Sequence, residues 1–262
     1  MDLKLKEKTI MVAAASSGLG FGIAEALAAE GAQLALSSRT DSNLELAKAR
    51  LLEAHPVHIT TTVCDVADLA AIEKWVENTV TQFGRVDGFV VNAGGPSPGT
   101  IDTLSEADWE KAYHLTLMSA VRLIRCVLPH MRRQRSGSII TVTSSSVKEP
   151  IEALLLSNVF RAGVASLVKS VSREVAHEGI RINNLVPGRF DTSRVREIDA
   201  AIANRRGITP SAVKESQESG IPSRRYGQPN EFGKAAAFLL SDAASYITGS
   251  SLVVDGGKTL SL

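Results

Sequence analysis

Where the first apolar run of the chain, Thr9 to Ala13, gives out, small residues take over: Ala14-Ala15-Ser16-Ser17-Gly18-Leu19-Gly20, then a helical pattern with a further Gly22. Glycine at a strand-to-helix turn lets the backbone bend sharply and approach a pyrophosphate, whose charge then rests on the open amides of the helix N-terminus. That chemistry is the holding of a dinucleotide. A second apolar run ends in Ser37-Ser38-Arg39-Thr40. A carboxylate there would bind the ribose 2′-hydroxyl of NAD, whereas an arginine suits the 2′-phosphate of NADP. Ser38 leaves the acidic place empty and Arg39 follows it, which favours NADP, with NAD as the alternative. Further along, Ser144-Ser145-Ser146-Val147-Lys148-Glu149 offers hydroxyls and a charged pair just past another apolar run. The histidines and the two cysteines, Cys64 and Cys126, show no metal-ligand spacing, so no metal site is expected.

Short apolar runs alternate with amphipathic stretches, the signature of βαβ units and a parallel sheet. Strands are expected at Thr9–Ala13, Gln33–Ser38, Ile59–Cys64, Gly88–Asn92, Ser138–Thr143, Arg181–Val186 and Leu252–Asp255. Helices open near Gly18 and span about Asp108–Met131 and Ser157–Glu178; in the last, Phe160, Val164, Leu167, Val168, Val171 and Val175 fall on one apolar face. The fold class is therefore α/β, a doubly wound parallel sheet of the Rossmann type, with residues 1–262 read as one domain. The polar, basic excursion from Arg189 to Arg225 leaves the carboxyl edge of the sheet and reads as a substrate lid. A net charge of +1 gives no field for nucleic acid or an anionic membrane. No apolar run approaches the roughly 20 residues a membrane helix needs. With no apolar signal region at the N-terminus, a cytoplasmic location is the expectation.

On these segments the chain resembles the short-chain dehydrogenase/reductase family over nearly its whole length. In that family the first turn reads T-G-x-x-x-G-x-G. Gly18 and Gly20 are kept here, while Ala13 and Ala14 stand for the threonine and first glycine, and Ser16, Ser17 and Leu19 fill the turn. Cys64-Asp65-Val66 matches the segment whose aspartate meets the adenine. Asn92-Ala93-Gly94 matches the motif beside the cofactor, and Pro187-Gly188 with Thr192 resembles the segment that contacts the nicotinamide amide. The resemblance further implies four catalytic places: a helix asparagine, a serine after the fifth strand, and a tyrosine and lysine spaced Y-x-x-x-K. Hydride transfer to a carbonyl leaves an oxygen that needs a proton and charge stabilisation, which a tyrosine beside a cation supplies. Ser144 matches the serine. The other three are substituted: Thr116 for asparagine, Ser157 for tyrosine and Arg161 for lysine. No Y-x-x-x-K occurs anywhere, since the residues four beyond Tyr113, Tyr226 and Tyr246 are Leu117, Asn230 and Ser250.

Three readings follow. The first is an NADP-dependent oxidoreductase resembling the β-ketoacyl-ACP reductases, acting on a small carbonyl or hydroxy substrate through Ser144, Ser157, Arg161 and Thr116, with Arg161 also holding ribose hydroxyls. The second is a catalytically impaired NAD(P)-binding sensor or partner subunit, and the third a structural module without nucleotide. Lys148 and Glu149 are candidate substitutes for the lost pair, though a charge pair at a strand exit is more often solvated. The lid arginines Arg189, Arg194, Arg196, Arg205, Arg206, Arg224 and Arg225 hint at an anionic substrate, with a solvated lid as the blander account. By resemblance the chain is expected as a homotetramer or homodimer packed through its two long helices.

Overall fold

A computed structural model of the chain describes residues 2–261. Seven strands, β1 (Thr9–Val12), β2 (Gln33–Ser38), β3 (Ile59–Val63), β4 (Gly88–Val91), β5 (Gly137–Val142), β6 (Ile180–Pro187) and β7 (Ser251–Val254), form one parallel sheet ordered β3-β2-β1-β4-β5-β6-β7. The expected strands and the observed ones agree within one or two residues. Every residue of β1, β4 and β5 is buried, as strands covered on both faces must be. Alternate side chains serve opposite faces. Ile10 and Val12 pack with Ile23, Leu27 and Phe232 on one side. Met11 packs with Ile72, Trp75, Leu123 and Val164 on the other. The order reverses between β1 and β4, and at that point the carboxyl ends of a doubly wound sheet leave a crevice.

Helix α1 (Gly18–Ala29) follows β1 directly, and α2 (Asp41–Ala54) and α3 (Leu69–Phe83) link β2, β3 and β4. The helix expected over Asp108–Met131 is present and continuous, with a π-helical stretch inside it. A short α4 (Glu106–Ala112), capped reciprocally by Ser105 and Asp108, passes into one π-helical stretch, Tyr113–Met118, and then α5 (Ser119–Gln134). A π insertion shifts the helical register by one residue, and such insertions recur at functional sites. Here it carries Thr116, which is buried. The second long helix, α6 (Leu155–Val175), begins two residues earlier than expected and ends in a 3₁₀ turn at Ala176–Glu178.

The excursion from Arg189 to Arg225, expected as a lid, is mostly helical. It folds into α7 (Ser193–Arg206) and α8 (Pro210–Ser219), capped by Thr192 and Thr209. Its anchor is polar: Arg189 Nη1 donates to Asp199 Oδ1 at 2.5 Å and to the Tyr226 hydroxyl at 2.9 Å, while that hydroxyl donates to Asp199 Oδ2 at 2.8 Å. Four of the lid arginines pair with carboxylates of the lid or its borders: Arg189 with Asp199, Arg194 with Glu197, Arg196 with Asp191, and Arg225 with Glu231. Arg224 donates to the Ser219 carbonyl. The hint of an anionic substrate is thus mostly absorbed by intramolecular pairing.

The last helix, α9 (Pro229–Leu240), crosses α1 almost backbone to backbone. A Cβ on Gly22 would stand 2.4 Å from the Pro229 carbonyl oxygen, and one on Gly233 would stand 2.1 Å from the Gly22 carbonyl oxygen. Gly22 therefore serves helix packing and not the phosphate turn. Gly233→Ala is expected to lower stability by about 1–3 kcal/mol through overpacking, read as a fall in the urea midpoint at unchanged slope.

Candidate cofactor and active site

The turn after β1 is pinned before any ligand arrives. Ala13 N donates to Val90 O (3.1 Å), Ala15 N to Ser37 O (2.9 Å), and Asn92 Nδ2 to Ala13 O (3.2 Å). Ala14 sits in the left-handed region at φ 51°, and Gly18 at 57°. The alanine thus takes the backbone conformation that favours glycine, at a steric cost of about 1–2 kcal/mol. A Cβ on Gly20 would meet the Ala14 carbonyl oxygen at 2.2 Å, so only glycine closes the turn. Ser17, the N-cap of α1, makes no side-chain cap bond, and no acidic residue occupies the first turn. The helix amides stay open to an anion.

The flanking residues line up along this turn. Ser16 Oγ and Ser38 Oγ lie 3.0 Å apart, joining the turn to the end of β2. Arg39, next in the chain, is exposed and meets no carboxylate within ion-pair distance among the described residues. Asp65 accepts Ala67 N at 2.9 Å through one carboxylate oxygen, beside the buried Val66. A Cβ on Gly94, after Asn92 and Ala93, would meet nothing within 4 Å. Thr192 caps α7 by accepting Val195 N, and its methyl lies 3.6 Å from where a Gly18 Cβ would be. The lid thereby starts against the glycine turn. Gly188 N donates to Val254 O (2.9 Å), which ties Pro187-Gly188 to the end of β7. An open helix N-terminus, a close-approach glycine and an unpaired arginine at the end of β2 together fit a dinucleotide phosphate.

The residues expected to be catalytic gather near the exit of β5. Ser144 caps the 3₁₀ turn Ser145–Val147 by accepting Ser146 N at 3.1 Å, which leaves its own hydroxyl hydrogen free to donate. Ser157 and Arg161, four residues apart, share the buried face of α6 with Val164 and Val168. Arg161 is 9% exposed, and its Nη1 donates to Val142 O (3.0 Å) and Thr143 O (3.1 Å). No carboxylate pairs with it among the described residues. Burial pushes its pKa down to about 10, so the group stays a cation at neutral pH. A cavity of about 20 Å³ lies between Arg161, Thr116, Ser119 and Asn92. The Thr116 hydroxyl there meets no hydrogen-bond partner among the described residues. The volume exceeds the roughly 10–15 Å³ that one water needs.

No tyrosine comes in from elsewhere to replace the missing one. Tyr226 is buried, and its hydroxyl is held in the lid anchor; burial first, then the bond to Asp199, pushes its pKa up to about 12. Tyr113 packs on His114 and Phe160, and Tyr246 stands fully exposed at the amino end of the sheet. Glu149, a candidate substitute acid by its place in the sequence, is engaged structurally. Its Oε1 accepts Leu260 N (2.6 Å) and Ser261 N (2.8 Å), fastening the C-terminal tail to the turn after β5. That contact spans more than a hundred residues, and no sequence signal announces it. No group of metal-ligating side chains occurs among the described residues.

The chain belongs to the short-chain dehydrogenase/reductase family. The family model described as Enoyl-(Acyl carrier protein) reductase matches residues 13–259. Levodione reductase of Leifsonia aquatica is 33% identical over 262 residues, covering 98% of this chain and 96% of that protein. Oxidoreductase UcpA of Salmonella typhimurium is 35% identical over 261 residues, with the same coverages of 98% and 96%. Among solved structures, L-sorbose reductase from Gluconobacter frateurii, complexed with NADPH and L-sorbose, is similar with a TM-score of 0.95 at 31% identity; the match covers 100% of both chains.

Because Ala14 holds a left-handed conformation, Ala14→Gly is expected to stabilise the protein by roughly 0.5–1 kcal/mol, the relief of strain exceeding the entropy that glycine adds to the unfolded chain. Thermal or urea unfolding of the two proteins checks this, and a lower midpoint for the glycine variant contradicts it.

Proposed function

We propose that this chain is an NADPH-dependent carbonyl reductase of the short-chain dehydrogenase/reductase family that works without the tyrosine. The observation that carries the reading is the buried, carboxylate-free guanidinium of Arg161 at the exit of β5, on the same helix face as Ser157. The cofactor assignment draws on the NADPH complex of L-sorbose reductase and on Arg39 beside Ser16 and Ser38. Ala14, Ser17, Gly18, Leu19 and Gly20 would hold the pyrophosphate on α1, Arg39 the 2′-phosphate, Asp65 and Val66 the adenine end, and Asn92 to Gly94 the ribose side. Pro187, Gly188 and Thr192 would face the nicotinamide amide. A bound NADPH supplies the hydride.

The chain's own residues then manage the oxygen. Ser144 donates a hydrogen bond to the substrate carbonyl, which polarises it. Arg161 stabilises the negative charge that grows there, and its effect is strong because the guanidinium is buried and poorly screened. The proton comes from solvent through the Ser157 hydroxyl, a far weaker acid than a phenol. The alcohol product carries one hydride on carbon and one proton on oxygen. Thr116 takes the asparagine's place in the π stretch, where its hydroxyl faces the small cavity beside Arg161.

A second reading, a nucleotide-binding sensor or partner subunit with little turnover, is favoured by one specific observation: Arg161 Nη1 is already held by two main-chain carbonyls. A homotetramer or homodimer through α5 and α6 fits either reading, and light scattering in solution tests it.

Arg39→Ala is expected to weaken NADPH binding about 10-fold, or about 1.4 kcal/mol, and to leave NADH binding unchanged in a fluorescence titration. Equal loss for both cofactors would remove Arg39 from the 2′-phosphate. The wild type is expected to oxidise NADPH slowly with a ketone panel, and Ser157→Tyr combined with Arg161→Lys to run about 10²-fold faster or more. If NADPH binds but no ketone is turned over, the reductase reading fails and the sensor reading stands. A double variant no faster than an active wild type would show that the serine–arginine pair is no handicap.

A further inference from the structure

Arg161 is a buried cation without a counter-charge among the described residues. Its Nη1 is engaged by the carbonyls of Val142 and Thr143, and its other N–H groups make no hydrogen bond among those residues. Burial lowers its pKa, and no charged neighbour offsets that effect. Hydrogen bonds to two neutral carbonyls offset only part of the penalty of burying an ion.

The cavity of about 20 Å³ beside the guanidinium has apolar walls from Val142, Val164 and Ala120. Its polar lining is Arg161, Thr116, Asn92 and Ser119. Two of these are committed elsewhere. Asn92 Nδ2 donates to Ala13 O (3.2 Å), and Ser119 Oγ donates to Leu115 O (2.5 Å) and Thr116 O (3.3 Å). Thr116 differs: it is 5% exposed, and its hydroxyl has no partner among the described residues. A buried hydroxyl in that state carries a desolvation penalty of its own.

An unpaired guanidinium and an unpaired hydroxyl thus border one small cavity, each with a proton to donate. A water there would accept from both, but only an anion also supplies the missing charge. The apolar walls strengthen that attraction by screening it little. The volume sets the size of the ligand. It is only somewhat more than the roughly 10–15 Å³ that one water needs, so a single monatomic ion fits, and sulfate, phosphate or a carboxylate with its carbon chain does not.

We propose that this cavity is a halide site, with chloride held between the Arg161 guanidinium and the Thr116 hydroxyl. The site needs no turnover, and it stands whether the chain is a reductase or a sensor. Thermal unfolding of the full-length protein in sodium chloride, against sodium gluconate at equal ionic strength, tests it. Chloride at about 200 mM is expected to raise the midpoint by about 2–4 °C over gluconate, the shift that a ligand at roughly five times its Kd gives a chain of this size. Bromide should act as chloride does, and crystals grown in bromide should show its anomalous peak between Arg161 and Thr116. Thr116→Val keeps the side-chain shape without the hydroxyl and is expected to abolish the shift, whereas Thr116→Ser is expected to keep it. Arg161→Met should abolish it as well, and if that variant does not fold, the two Thr116 variants decide.

The proposal is overturned if chloride and gluconate give the same midpoint, as a water in the cavity would. A shift that survives Thr116→Val, or a bromide peak found only elsewhere, overturns it too.

Discussion

A guanidinium inside a protein must find acceptors, and in this fold those available to Arg161 are the carbonyls of Val142 and Thr143 at the end of β5. The bond fixes α6 against the sheet at the level of Ser144, so the catalytic turn, the buried face of α6 and the π stretch beneath them share one anchor. Desolvating an ion without a counter-charge costs several kcal/mol, and hydrogen bonds to neutral carbonyls offset only part of it. Such an arrangement is a poor choice for stability alone. It is a reasonable one where negative charge must appear next to the cation for a moment and then leave.

The two halves of the site differ in how they depend on the chain. The nucleotide half is built from backbone: a left-handed Ala14, a Gly20 pressed on a carbonyl, and an uncapped helix start. Backbone tolerates side-chain change, and the turn keeps its shape although its first glycine is lost. The catalytic half is built from side chains, and there substitution alters the chemistry itself. A serine hydroxyl and a planar guanidinium cannot reproduce a phenol beside an ammonium.

Charge elsewhere is arranged with less freedom than composition suggests. A nearly neutral chain carries a strongly basic excursion over 189–225, yet four of its seven arginines meet Asp191, Glu197, Asp199 and Glu231. The trio of Arg189, Asp199 and Tyr226, with Asp191 bridging Arg196 and Lys214, ties α7 and α8 to the end of β6. Glu149 holds the C-terminal tail against the turn after β5.

The sheet, the crevice and the glycine turn are legible in the chain alone, because they follow from local period and small-residue spacing, which survive reading one segment at a time. Gln33–Ser38 is a strand by its pattern and the same strand in the fold for that reason. The sequence also determined that no Y-x-x-x-K exists. Other features came only with the folded chain: the π insertion at Thr116, the two helices of the 189–225 excursion, the engagement of Glu149 and the role of Gly22. Each depends on partners distant in the chain. The lid helices bury few apolar residues, essentially Ala203 and Val213, so no hydrophobic period marks them. Their order comes from capping and from ion pairs that exist only once the sheet has brought Arg189, Asp199 and Tyr226 together.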